Sequence, residues 1–282
     1  MSQALVSTRD QRALECVTRT RGNGRSSHAS IGGTPTLVRE MGRAVMVQAY
    51  EVRLMASLAA NLPLRLIGGG FDRALGDEPP VQAQPALATC PVLLVHGFGG
   101  TKSSWSYLAR TLRARGVVVD TVTYAPFGTS VEKVADQLAI EVARMLSRTG
   151  ADKVHLVGHS LGGVVIAQAI TSGRLAGRLD TVVTLGAPFG GSPWAHLLPF
   201  GAIARALRGD SPLLRRLASA SVPEGVRWLA FTATLDMVVP GLRSVPLHPG
   251  VETVVVDGVG HLGMLLSRHV VGRVVAALHA CG

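Results

Sequence analysis

Residues 154–168 read Val154-His155-Leu156-Val157-Gly158-His159-Ser160-Leu161-Gly162-Gly163-Val164-Val165-Ile166-Ala167-Gln168. A short, largely apolar run opens the stretch, a helix-like run closes it, and glycines crowd the junction. This is Gly-x-Ser-x-Gly set between a strand and a helix, the context in which the pattern makes a sharp, strained turn. A serine at that turn projects its hydroxyl above the sheet. Gly158 and Gly162 are required because side chains would clash where strand and helix meet closely. The helix begins beneath Ser160, and its unpaired amides favour negative charge on a nearby oxygen. A purely structural glycine turn accounts for the pentapeptide but not for its flanks.

Outward from this turn, short β-branched runs alternate with amphipathic helices from Pro91 onward. Strands are predicted near 92–96, 117–122, 154–158, 181–185, 228–233 and 252–256, and helices near 104–115, 130–148, 161–172 and 265–280. The alternation predicts an α/β fold with a mostly parallel sheet, flanked by helices and binding ligands at the carboxyl ends of its strands.

A serine needs a base, an acid to orient that base, and an oxyanion hole. His261 best suits the base, on the glycine-rich stretch Val256-Asp257-Gly258-Val259-Gly260-His261 after the last strand. His196, His248, His269 and His279 are the alternatives, the last two lying in the final helix. Asp236, in Leu235-Asp236-Met237-Val238-Val239-Pro240 just beyond a strand, best suits the acid, with Asp257 as its rival. The order Ser, acid, His is the one expected for a nucleophile presented this way. One oxyanion amide is expected from Leu161 and the other from Phe98, in Val95-His96-Gly97-Phe98-Gly99-Gly100. A phosphate loop at 97–103 fails on spacing, because Thr101 rather than glycine precedes Lys102.

These blocks, together with Leu185-Gly186-Ala187-Pro188, closely resemble the bacterial lipases of the α/β-hydrolase superfamily over about 91–268. The later blocks look most like the small lidless triacylglycerol lipases. The resemblance implies the α/β-hydrolase fold, a triad of Ser160, Asp236 and His261, and Phe98 and Leu161 as oxyanion donors. It also implies ester hydrolysis without cofactor or catalytic metal.

Two departures stand out. An extra segment at about 190–225 carries Trp194, Leu197, Leu198, Phe200, Ile203 and Leu207 as an apolar stripe, with Arg205 and Arg208 opposite. It fits both a fixed helical cap and a lid hinged at its glycines, and Trp194 and Phe200 are its candidates for substrate contact. The other departure is a long N-terminal portion. Residues 1–36 read as a disordered tail, and 37–90 as a helix to about Ile67 followed by a Pro/Gly linker. The hydrolase domain then fills 91–282, and Met41 or Met46 are possible starts. Arg43, Glu51 and Arg53 break any membrane span in the helix, which suits packing on the domain or lying on a lipid surface.

The chain of 282 residues is 47% hydrophobic with a positive mean hydropathy, which excludes general disorder. Its formal charge of +10 is carried mainly by arginine, without the basic–aromatic interleaving of a nucleic-acid groove. Nucleic acid is therefore not expected as a partner, whereas an ester or lipid substrate and peripheral contact with anionic lipid are. Three cysteines are an odd count; a Cys90–Cys281 bridge and isolated thiols both remain open. No signal or spanning segment is evident, which leaves two alternatives for the chain's place, cytoplasmic or membrane-peripheral on the one hand and export by an unrecognised signal on the other. The same residues serve an ester hydrolase or an acyltransferase, and an inactive binding protein is the reading from a different class.

Overall fold

The computed structural model describes residues 34–67 (with side chains over 40–56), 90–125, 128–196, 201–218, 221–246 and 248–278. The chain divides into two units, Met1–Val45 and Met46–Gly282. In the first, helix α1 (Thr34–Ile67) begins. It opens three residues before the apolar spacing predicts, and Pro35 is tolerated there because first-turn amides have no acceptor within the helix. The second unit holds the rest of α1 and everything described after it.

In that second unit six strands form one sheet: β1 (Val92–Val95), β2 (Val119–Val122), β3 (Val154–His159), β4 (Leu179–Leu185), β5 (Arg227–Ala233) and β6 (Val251–Val256). Their spatial order is β2-β1-β3-β4-β5-β6, and every pairing is parallel. The chain winds one way from β1 to β2, then crosses back to continue from β3 to β6. Its winding direction therefore reverses between β1 and β3. Beyond the carboxyl ends of those neighbours lies the crevice where such sheets bind ligands.

Helices cover both faces, as parallel strands require when neither side meets water. α2 (Ser106–Arg113) and α7 (Arg268–Ala277) bury Leu108, Leu112, Val270 and Val274 in one apolar layer. α3 (Val131–Thr149) and α4 (Leu161–Thr171) bury Val134, Leu138, Val165 and Ile166 in the other. Strand β1 shows the period of two directly: Val92 and Leu94 enter the first layer, Leu93 and Val95 the second. α3 starts on the side chain of Ser130, which accepts from the Lys133 amide, and stops at Gly150 in the left-handed conformation.

The inserted segment forms two short helices, α5 (Ala202–Ala206) and α6 (Pro212–Ala218). Ile203, Leu207, Leu213, Leu214 and Leu217 are buried in the same layer as α3 and α4. Each such side chain removed from water contributes about 1.5–3 kcal/mol toward holding the segment down. Arg216 adds a hydrogen bond to Gln168 of α4 at 3.1 Å. The Ser192 amide donates to Leu207 O at 3.0 Å, which ties the start of the segment to the end of α5. Leu197, Leu198 and Phe200 of the expected stripe lie outside the described residues.

The tail at 1–33 and the linker at 68–89 also lie outside them. Cys90 is disulfide-bonded, with its partner outside the described residues, which overturns the isolated-thiol reading for that cysteine. No helix among the described residues is long and apolar enough to cross a membrane.

Candidate active site

Ser160 is the residue between β3 and α4, with φ 51° and ψ −121°. Among the described residues it is the only non-glycine with positive φ. A conformation of that kind costs about 1–3 kcal/mol and persists only where its surroundings over-determine it. They do so here. The Ser160 amide donates to Leu185 O at 2.9 Å, and its carbonyl accepts from the Gly163 amide at 3.0 Å.

The neighbouring glycines are compelled by contact. A Cβ on Gly162 would lie 2.1 Å from Val95 O, and one on Gly158 would lie 2.7 Å from Gly162 C. Gly162→Ala is thus expected to destabilise the fold by about 3 kcal/mol, the upper end for overpacking. Thermal unfolding should show it as a fall in Tm of roughly 6–12 °C.

His261 and Asp236 meet on loops at the carboxyl end of the sheet. His261 Nδ1 donates to Asp236 Oδ2 at 2.7 Å, and both side chains are almost wholly buried. The other carboxylate oxygen, Oδ1, accepts from the Val238 and Val239 amides at 2.8 and 2.7 Å. Three donors therefore hold the carboxylate still. The proton is fixed on Nδ1, so Nε2 carries the basic lone pair.

Gly186, at the end of β4, is the floor of this pair. A Cβ there would lie 3.1 Å from both Asp236 Oδ2 and His261 Nδ1. Asp257, the rival acid, is an exposed residue of the turn after β6. His196 and His269 are exposed, His248 packs near Trp228, and His279 lies outside the described residues.

The structure brings the expected acid and base together, and the residue that precedes Ser160 packs against the base. His159, one residue before Ser160, packs its ring 4.7 Å from that of His261. Burial, reinforced by the neighbouring His261 ring, pushes the His159 pKa well below the usual histidine range. The ring is therefore neutral, and its Nε2–H donates to the His261 carbonyl at 3.1 Å. Ser160 Oγ makes no hydrogen bond to the His261 ring among the described residues; such bonds commonly tighten only with substrate in place.

Of the two expected oxyanion donors, Leu161 directly follows Ser160, and Phe98 directly follows Gly97, which lies against it. Leu161 is the first residue of α4, where the amide has no acceptor within the helix. Phe98 is the second residue of a turn closed by the Gly100 amide on Gly97 O at 3.0 Å, with Gly99 at φ 66°. Gly97 lies so close to the elbow that a Cβ on it would be 3.0 Å from Ser160 Cβ.

The turn has supports that sequence reasoning missed. His96 Nδ1 donates to Gly97 O at 2.9 Å, while its Nε2 accepts from the Tyr124 amide at 3.4 Å. The Tyr124 ring stacks on His96 at 4.3 Å. Burial pushes the Tyr124 hydroxyl pKa upward, so it stays protonated and donates to His96 O. His96 stands inside a quoted motif, but Tyr124 is 28 residues away with no pattern linking them.

Trp194 is partly exposed and donates its indole N–H to Met237 O at 2.9 Å, which places it against the acid loop. Phe200, the other expected substrate contact, lies outside the described residues.

Comparison with known proteins agrees with this architecture. Residues 92–230 match the family described as the alpha/beta hydrolase family. A triacylglycerol lipase of Burkholderia plantarii is 29% identical over 164 residues, 54% of this chain and 45% of the relative. The dihydrolipoyllysine-residue acetyltransferase component of an acetoin cleaving system from Cupriavidus necator is 38% identical over 81 residues, 27% of this chain and 21% of that protein. The chain thus spans less than half the length of these curated relatives. Among solved structures, the mature form of a Bacillus licheniformis lipase superposes with a TM-score of 0.58 at 16% identity, covering 69% of this chain and 94% of that one. At that identity the likeness is one of fold.

Proposed function

We propose that this chain, a member of the α/β-hydrolase superfamily similar to bacterial lipases, hydrolyses carboxylic esters of lipids through an acyl-enzyme on Ser160. The observation that carries the reading is the 2.7 Å bond from His261 Nδ1 to Asp236 in a chain that also holds Ser160 in strained backbone geometry at its elbow. His261 Nε2 takes the Ser160 proton as Oγ attacks the ester carbonyl. The amides of Phe98 and Leu161 hold the resulting oxyanion, each worth about 2.7–4 kcal/mol of transition-state stabilisation. His261 then gives its proton to the leaving alcohol. Water enters, is deprotonated by the same nitrogen, and releases the acid. Asp236 holds the tautomer and steadies the imidazolium without taking the proton.

Lipid as the substrate class is supported by the lipase names of the relatives and by the outer side of α1. Met46, Tyr50 and Val52 there are half or more exposed, beside exposed Arg53. Apolar surface with positive charge suits docking on an anionic lipid surface. The buried side chains of α5 and α6 support a fixed cap rather than a hinged lid over 201–218.

A p-nitrophenyl ester series of rising chain length, run below and above the solubility limit, tests both points. Hydrolysis of medium or long chains, rising smoothly through the limit, is expected. Turnover of acetate alone would remove lipid as the substrate class, and a jump at the limit would remove the fixed cap.

A second reading, transfer of the acyl group to an alcohol, uses the same residues and gains support from the acetyltransferase relative. Product analysis with an added alcohol acceptor separates the two.

A further inference from the structure

We propose that Glu51 of α1 is a positioning residue for the catalytic base, holding the loop that carries His261 from 211 residues away in the chain. The inference rests on the reading of His261 as base.

Glu51 is only 3% exposed, although it stands on a helix whose other side faces water. A buried carboxylate is costly unless hydrogen bonds satisfy it. Here its Oε2 accepts from the Leu262 amide at 2.9 Å and its Oε1 from the Gly263 amide at 2.7 Å. These are the first two amides after His261. They open the 3-10 turn Gly263–Leu265, where amides have no acceptor of their own. One side chain therefore caps the turn that follows the base and fixes the backbone carrying its imidazole.

The loop is shaped to receive that carboxylate. A Cβ on Gly260 would lie 2.3 Å from Glu51 Cγ and 2.5 Å from Cδ. Gly260 is not among the glycines of positive φ, so its backbone would accept any residue. Close approach of Glu51, rather than conformation, excludes a side chain there. Gly263 is similarly tight, with a Cβ 3.0 Å from Oε1. One turn earlier on the same side of α1, Gln48 Nε2 donates to Leu235 O at 3.1 Å, next to the acid Asp236. The helix thus grips both loops that supply the acid–base pair.

The test compares Glu51→Gln, Glu51→Asp and Glu51→Ala in the full chain on a soluble p-nitrophenyl ester. Rates are expressed per active site, counted by the endpoint of fluorophosphonate labelling, so a misfolded fraction drops out of the measurement. Glutamine keeps the shape but turns an N–H₂ toward one of the two amides. Alanine favours the helix more than glutamate does, so loss of helix cannot explain a loss of rate. We expect kcat per titrated site to fall about tenfold for glutamine and about a hundredfold for alanine, the scale of a misplaced catalytic group. KM should stay within about twofold, and aspartate should recover part of the loss.

Gly260→Ala supplies a second arm. It should lower kcat in the parent chain but add little in the Glu51→Ala background, where the clash has gone. Unchanged kcat per titrated site in the Glu51 variants, or an equal cost of Gly260→Ala in both backgrounds, would overturn the proposal. A parent chain that neither turns over ester nor labels would instead refute the serine-hydrolase reading beneath it.

Discussion

Alanine at position 160 should lower kcat for ester hydrolysis about a million-fold, the scale seen when a serine nucleophile acting in such a unit is removed. The expectation follows from how the serine is held. Its backbone occupies a left-handed conformation that no other described non-glycine residue adopts, pinned by Leu185 O and the Gly163 amide. Alanine tolerates that backbone about as well as serine does, so the variant should fold and keep its Tm. What it loses is the hydroxyl oxygen on which the proposed acyl-enzyme depends. Residual hydrolysis above water should survive, because oriented amides still polarise a bound carbonyl. Steady-state rates with a p-nitrophenyl ester, alongside thermal unfolding, check both halves of the prediction.

Asp236→Asn should cost roughly ten-thousand-fold in kcat while leaving the fold intact. Here the local hydrogen bonds decide the outcome. Oδ1 of Asp236 accepts from two backbone amides, at Val238 and Val239. An asparagine must keep its carbonyl oxygen on those two donors, which directs its N–H₂ at His261 Nδ1. That nitrogen must then accept rather than donate, and the proton moves to Nε2. The base would face the serine with a proton already in place. A fall in kcat comparable to that of Ser160→Ala, or no fall at all, would each argue against this tautomer mechanism. The comparison is made at neutral pH with the soluble ester, with Tm measured in parallel.

The sheet was legible because its strands announce themselves by local composition. All six predicted strands are present, with ends that differ by one or two residues, and the elbow follows from a single stretch of fifteen residues. Short-range signals of this kind survive without knowledge of tertiary contacts. That Asp236 rather than Asp257 pairs with His261 was also legible, because the strand–loop position of each could be read in the sequence. Contacts across the fold were not.

Tyr124 supports the Gly97–Gly100 turn through His96 with no motif to mark it. Glu51 reads in sequence only as a charge that interrupts an apolar helix. Its partner amides have no side-chain signature, since any residue supplies an N–H. The inserted segment was ambiguous for another reason. An amphipathic stripe looks the same whether it packs permanently or swings open, and only the burial of Ile203, Leu213, Leu214 and Leu217 supports the packed arrangement.

Covalent labelling with a fluorophosphonate probe, followed by peptide mapping and rate measurement, asks most directly whether these three side chains work as one unit. One probe per chain on Ser160, with labelling of His261→Ala slowed by orders of magnitude, is the predicted result. A probe found on another residue, or a His261→Ala chain that labels as fast as its parent, would contradict it.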